Sequence, residues 1–143
     1  MVKDSGYPGM KVFQFAFYED SDSEYLPQNH LENCVVYTGT HDNQTTFSWY
    51  LDLTKEDREY LEEYTGVTSW KNVCSVMIKY AMMSVAETCI IPIQDYLELD
   101  DRARINEPGS TGDNWKWRMK KDVTAQYKQL ASHISKLVKM YGR

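Results

Sequence analysis

An imidazole and a carboxylate stand side by side at His41-Asp42, directly after the apolar run Cys34–Thr38, in the stretch CVVYTGTHDNQTT. In a site, the pair would offer a fixed negative charge and a hydrogen-bonding ring. Such a site would lie at the carboxyl end of a buried strand, where barrel enzymes place their chemistry. The same residues also suit a turn, because Asp42 and Asn43 are good turn and helix-cap residues. The residues alone leave both readings open. Elsewhere the chemistry-bearing types are less suggestive. His30, His41 and His133 show no metal spacing with cysteines or carboxylates, so no metal and no cofactor are expected. Cys34, Cys74 and Cys89 form no C-x-x-C spacing, and each sits in a mostly apolar segment, where a free thiol acts as a small hydrophobe. A reducing, cytoplasmic setting fits three such cysteines.

The elements that must position His41-Asp42 can be read from the rest of the chain. At 143 residues, 42% apolar and 13% aromatic, it has the size and composition of one ordinary domain with its own core. No run approaches the ~20 apolar residues of a membrane helix, and the opening MVKDSGYPG lacks the apolar stretch of a signal peptide. The net charge of −5 argues against nucleic acid as a partner. The small basic cluster 116–121 reads as solvated surface rather than a patch.

Three apolar runs read as strands: Met10–Phe17, Cys34–Thr38 and Thr88–Gln94. The last two do not alternate cleanly, which predicts burial on both faces, as in parallel sheets. Pro92 cannot donate to a ladder and is tolerable only at a strand end. Between the second and third runs, Thr54 followed by Asp57 predicts a helix start, with helix over Lys55–Tyr64. Trp70, Val73, Cys74, Met77, Ala81 and Val85 recur at helical spacing and predict a second helix, Trp70–Ser84, with that stripe in the core. Tyr127, Leu130, Ile134, Leu137, Val138 and Tyr141 mark the apolar face of a terminal helix, Thr124–Tyr141. The polar stretch 98–122, with Pro108, Gly109 and Gly112, reads as a long ordered loop of the kind that usually carries function. Strands alternating with helices imply right-handed crossovers and a parallel sheet, here a thin one of three strands with open edges.

The runs PGMKVFQFAF, YLPQNHLENCVVYTGTHDNQTT and PIQDYLELDDRARINEPGSTGDNWKWR, in that order, resemble the C-terminal part of the 4-alpha-glucanotransferases. These are the amylomaltases or disproportionating enzymes of glycoside hydrolase family 77, and the resemblance covers essentially the whole chain. It implies an α/β fold: residues 1–143 as a single segment supplying about strands six to eight, with their helices, of a (β/α)8 TIM barrel. It also implies transfer of α-1,4-glucan segments to glucose or another glucan by a retaining mechanism. Maltooligosaccharides, starch and glycogen would then be the partners. The family's nucleophilic Asp and acid/base Glu lie upstream of the matching region, so the chain alone is expected to be inactive and, with open sheet edges, to self-associate. A non-catalytic glucan-binding module is the alternative.

On this resemblance Asp42 matches the family's third carboxylate, which stabilises the oxocarbenium-like transition state, and His41 matches a neighbour that hydrogen-bonds the same sugar. Asn106, in ARINEPG, matches a position whose amide touches the donor sugar; a plain turn Asn before Glu-Pro-Gly is the competing reading. Gln94 and Asp95 fall at the end of the third run and take a supporting hydrogen-bond role. Trp115 and Trp117 suit sugar stacking or loop packing equally, and Trp49 and Tyr50 are expected to pack the next helix. After QFAF the family commonly has a sugar-contacting Asp. This chain reads Tyr18-Glu19-Asp20 there, and no site residue carries over.

Overall fold

A computed structural model describes residues 6–18, 22–120 and 124–143, without the side chains of 124–126. The three apolar runs form one parallel sheet: β1 (Gly9–Val12), β2 (Cys34–Tyr37) and β3 (Thr88–Ile90), in the order β1-β2-β3. Gly9 pairs with Cys34 and Val12 with Tyr37, while Val35 pairs with Thr88 and Tyr37 with Ile90. Because all three strands run the same way, the loops that follow them leave from one edge of the sheet.

Each strand is shorter than its apolar run. β1 stops at Val12, level with the end of β2, and Gln14 makes one further backbone bond to Thr38 (3.2 Å). With no ladder to extend along, Phe13–Phe17 winds into a 3-10 turn and drives Phe13 and Phe17 into the main core, beside Trp49, Leu61 and Met77. At the end of β3, Pro92 takes φ −56° and caps a short helix, Ile93–Tyr96, so Ile93 and Gln94 are helical rather than extended. The missing N–H and fixed φ of proline favour that switch.

The expectation of burial on both sheet faces is corrected. Along β2 buried and half-buried residues alternate, and the face carrying Cys34 and Val36 packs on Ala81 and Ala86. On the opposite face Met10 and Ile90 are 56% and 45% exposed, because no described element lies over them. Among the described residues, five α-helices accompany the sheet: α1 (Thr46–Asp52), α2 (Lys55–Thr65), α3 (Val73–Met83), α4 (Ile93–Tyr96) and α5 (Thr124–Tyr141). α2 follows its sequence signals. The Thr54 side chain accepts the Asp57 N–H, Glu56 and Asp57 sit in the first turn, and Gly66 closes the helix at φ +73°.

α3 begins later than the stripe suggests. Asn72 Oδ1 accepts the backbone N–H groups of Thr68 and Ser69, holding residues 68–72 in a turn until Val73. Trp70 therefore lies outside the helix, half exposed and edge-on to Phe47, instead of in the core; Val85, also exposed, falls beyond the other end. Met77 is fully buried, as its spacing predicts. On α5, from Tyr127 to Tyr141, the six residues of the predicted face are the ones shielded from solvent, and Leu137 packs on Ile78 and Met82. Among the described residues no helix is long and apolar enough to cross a membrane.

Candidate active site at the carboxyl edge of the sheet

β2 ends at Tyr37 and α1 starts at Thr46, and residues 39–45 between them carry His41 and Asp42. The turn reading holds for Asn43, while His41 and Asp42 face away from it toward other loops. Asn43 closes the turn: its Oδ1 accepts the Thr40 N–H (2.9 Å) and hydroxyl (2.6 Å), and its own N–H reaches the Thr40 carbonyl (3.2 Å). The Asp42 carboxylate is left out of the turn. Its Oδ1 accepts Asn106 Nδ2 at 2.7 Å and lies 3.2 Å from His41 Nε2, with the side chain about half exposed. His41, Asp42 and Asn106 are thus brought together across 64 residues of sequence. Asn106 also donates its backbone N–H to the His41 carbonyl (3.0 Å).

The base of the loop is held by a single buried carboxylate. Asp95, 2% exposed, accepts the Thr38 hydroxyl (2.5 Å) and the Thr46 hydroxyl (2.8 Å) on Oδ2, and the Thr46 N–H (3.0 Å) on Oδ1. It therefore ties the residue before the loop to the residue after it. Burial pushes the Asp95 carboxyl above the usual carboxylate range, against the three hydrogen bonds that pull it down. Gln94 donates to the Ala103 carbonyl (3.1 Å), fixing the third loop in turn. Both residues have the supporting role expected of them.

Gln14, also buried, donates to the Gln44 carbonyl (3.1 Å) and lies 3.4 Å from the Thr46 hydroxyl. Gly39 passes so close to this amide that a Cβ there would sit 2.7 Å from Gln14 Nε2. Asp101 accepts the Thr45 N–H (2.8 Å), and Ser48 Oγ accepts the Asp101 N–H (2.9 Å). Thr38, Thr46, Asp101 and Arg104 carried no signal in the sequence, because their partners lie in other loops.

Around Asp42 opens a cavity of about 580 Å³, floored by Met10, Tyr37 and Ile90 and rimmed by Gln94, Asp95 and Arg104. A half-exposed carboxylate and an imidazole on a partly apolar cleft, with the Asn106 amide bonded to that carboxylate, suit a polyhydroxylated ligand. The Trp115 ring stands 5.1 Å from the His41 ring and is 58% exposed; Trp117 points into other clefts of the long loop. Trp49 and Tyr50 lie on α1, a helix the sequence reading missed although Thr45 accepts the Ser48 N–H as its cap. They pack as expected, with the Tyr50 hydroxyl donating to Glu62 on α2 (2.6 Å). Glu19 and Asp20 are outside the described residues. Tyr18 accepts the Trp49 indole N–H (2.6 Å).

The cysteines offer no nucleophile. Burial pushes all three thiols up, and none is bridged. His30 is buried, with Nε2 donating to the Tyr25 carbonyl (3.0 Å) and Nδ1 accepting from the Ser84 hydroxyl (2.7 Å). No group of three or more histidine, cysteine or acidic residues converges on a metal site among the described residues. In the basic cluster, Lys116 pairs with Asp113 and Arg118 donates to the Trp115 and Trp117 carbonyls. Lys121 is outside the described residues.

The 4-alpha-glucanotransferase family model matches residues 1–124. A 4-alpha-glucanotransferase of Clostridium butyricum is 44% identical over 142 residues, 99% of this chain and 29% of its own length. The Synechocystis enzyme of the same name is 39% identical over 138 residues, 96% of this chain and 27% of its own. Among solved structures, an amylomaltase from Streptococcus agalactiae in complex with acarbose superposes with a TM-score of 0.87 at 33% identity, covering 99% of this chain and 28% of that one. The chain thus spans about a quarter of the length of the proteins it matches. These alignments cover nearly the whole chain, and the chain belongs to the 4-alpha-glucanotransferase family.

Proposed function

We propose that residues 1–143 form the C-terminal segment, about strands six to eight, of a (β/α)8 catalytic barrel that moves α-1,4-glucan segments between chains. The observation that carries this reading is the Asp42 carboxylate, fixed by Asn106 at 2.7 Å over a cleft at the carboxyl edge of a parallel sheet. That edge is where barrel enzymes work, and the open strand edges leave room for the remaining strands. In a retaining transfer the nucleophile and acid/base come from the rest of the barrel. A covalent glycosyl-enzyme forms and is attacked by the hydroxyl of a second sugar.

Asp42 neither attacks nor transfers a proton in this scheme. It supplies fixed negative charge where the sugar ring becomes positive, and a hydrogen bond to a ring hydroxyl that strengthens as the ring flattens. His41 contributes its ring to the same sugar, and Asn106, donor and acceptor at once, suits the donor sugar's hydroxyls. Maltooligosaccharides, starch and glycogen are the substrates, and the cytoplasm, where three unbridged thiols stay reduced, is the compartment.

The test is product chromatography after incubation with maltotriose. The intact enzyme containing this segment releases glucose and longer maltooligosaccharides, and the 143-residue chain alone releases neither. Turnover by the chain alone would overturn the division of carboxylates. Binding without any transfer by the intact protein would leave a glucan-binding module in its place.

A further inference from the structure

We infer that Arg104 is a positioning residue, which holds Asp42 in its working geometry by locking two loops together while leaving the carboxylate's charge unquenched; the inference rests on the role proposed for Asp42. The guanidinium fork points in two directions at once. Nη2 donates to the Asp42 backbone carbonyl at 2.8 Å, across 62 residues of sequence, and Nε donates to the Asn106 carbonyl at 3.0 Å. The return bond runs from the Asn106 N–H to the His41 carbonyl at 3.0 Å. Both carbonyls at the loop tip, on His41 and Asp42, are therefore held by donors from residues 104–106. Once those peptide planes are fixed, the bond from Asn106 Nδ2 sets the Asp42 side chain.

The positive charge of Arg104 is directed away from the Asp42 carboxylate. Nη1 lies 3.9 Å from Asp101 Oδ2 and 3.9 Å from Glu107 Oε1, both on Arg104's own side of the cleft, and the Arg104 side chain is only 21% exposed. The cation meets Asp42 through its backbone carbonyl, while the carboxylate oxygen accepts the neutral Asn106 amide and has only the His41 ring, at 3.2 Å, as its other near neighbour among the contacts described. A carboxylate paired to arginine would lose much of its power to stabilise a cationic sugar. Here the arginine orders the loop, Asp101 and Glu107 hold its charge, and the field of Asp42 remains directed at the cleft. Lysine, a single point charge, cannot serve both carbonyls in this planar geometry.

Steady-state kinetics of the intact enzyme on maltotriose test this. Arg104→Ala is expected to lower kcat on the order of 10²-fold, the scale of a misplaced group of about 1 Å, with KM within a few-fold. Arg104→Lys should recover little, and added guanidinium ion should recover part of the loss in Arg104→Ala. In an Asp42→Asn background the Arg104→Ala change should cost little more, because what it positions is gone. An undiminished loss in that background overturns the inference, as does a raised KM with normal kcat, which would mark direct substrate contact. Normal kinetics of Arg104→Ala beside a crippled Asp42→Asn would also remove Arg104 and leave the proposed function standing. Absence of glucan transfer by the unmutated enzyme removes that function itself.

Discussion

Asp95 offers the sharpest contrast between two substitutions at one position. Its carboxylate receives three hydrogen bonds from two threonines, both completely buried. Asp95→Ala strands those donors, and an unsatisfied buried donor costs about 1–3 kcal/mol. Partial rearrangement of the hydroxyls brings the expected total to about 3–5 kcal/mol, the range for breaking a buried charged network. Asp95→Asn keeps the shape, an oxygen for the Thr46 N–H, and an amide that the two rotatable hydroxyls can accept; it also removes the charge that burial opposes. It should cost less than about 1.5 kcal/mol.

The pH dependence has a definite sign. The Asp95 carboxyl is raised from its ordinary 3.8, so the native state holds its proton more tightly than the unfolded chain. The associated stability is fully present below 3.8 and is lost as pH rises through the native value. Thermal unfolding of the intact enzyme and both variants, scanned from acid to neutral pH, measures all of this. For a protein several times the length of this chain, at about 1 °C per kcal/mol, Asp95→Ala should melt roughly 3–5 °C lower, and Asp95→Asn should gain on the unmutated protein as pH rises. Asp95→Asn as damaging as Asp95→Ala, or a variant that gains as pH falls, would refute the reasoning by showing that the hydrogen bonds outweigh burial.

Gly39→Ala should destabilise by about 1–3 kcal/mol, the cost of overpacking, because the new methyl meets the buried Gln14 amide; an unchanged urea midpoint would mean that Gln14 moves aside freely. Burial, aided by Lys11, holds the His30 imidazole below its ordinary 6.5. Its stability contribution is therefore present above that pH and lost as pH falls, and His30→Gln should flatten the acid limb of the stability profile. An identical limb in the variant would remove His30 as its source. The outer edges of β1 and β3 have no strand beside them among the described residues, with Met10 and Ile90 exposed nearby. The 143-residue chain should accordingly sediment at equilibrium as a dimer or larger species, and a stable monomer would contradict that expectation.

The parallel order, the start of α2 and the face of α5 were legible because periodicity and caps are local. Thr54-x-x-Asp57 and the six residues from Tyr127 to Tyr141 state their positions without reference to anything distant. Strand ends were not legible, because Phe13–Phe17 has strand-forming residues throughout. It coils only because β2 ends opposite Val12 and leaves nothing to pair with. Trp70 misled for a related reason: it fits the helical spacing, but Asn72 holds the chain in a turn one step before the helix. In the site, the run-up to His41-Asp42 marked the loop, and the resemblance supplied Asn106. Nothing in the spacing of Arg104, Asp95 or Thr46 points to Asp42, since their bonds join loops that meet only when the sheet forms.

The central claim is that Asp42 acts on the transition state. The most direct measurement is kcat and KM of Asp42→Asn in the intact enzyme on maltotriose, with Asp42 as the sole change. Asparagine keeps the size and the bond to Asn106 and deletes only the charge. Loss of one preorganised electrostatic group should lower kcat roughly 10²–10³-fold with much less change in KM. A near-normal kcat, or a loss confined to KM, would return Asp42 to the turn it adjoins.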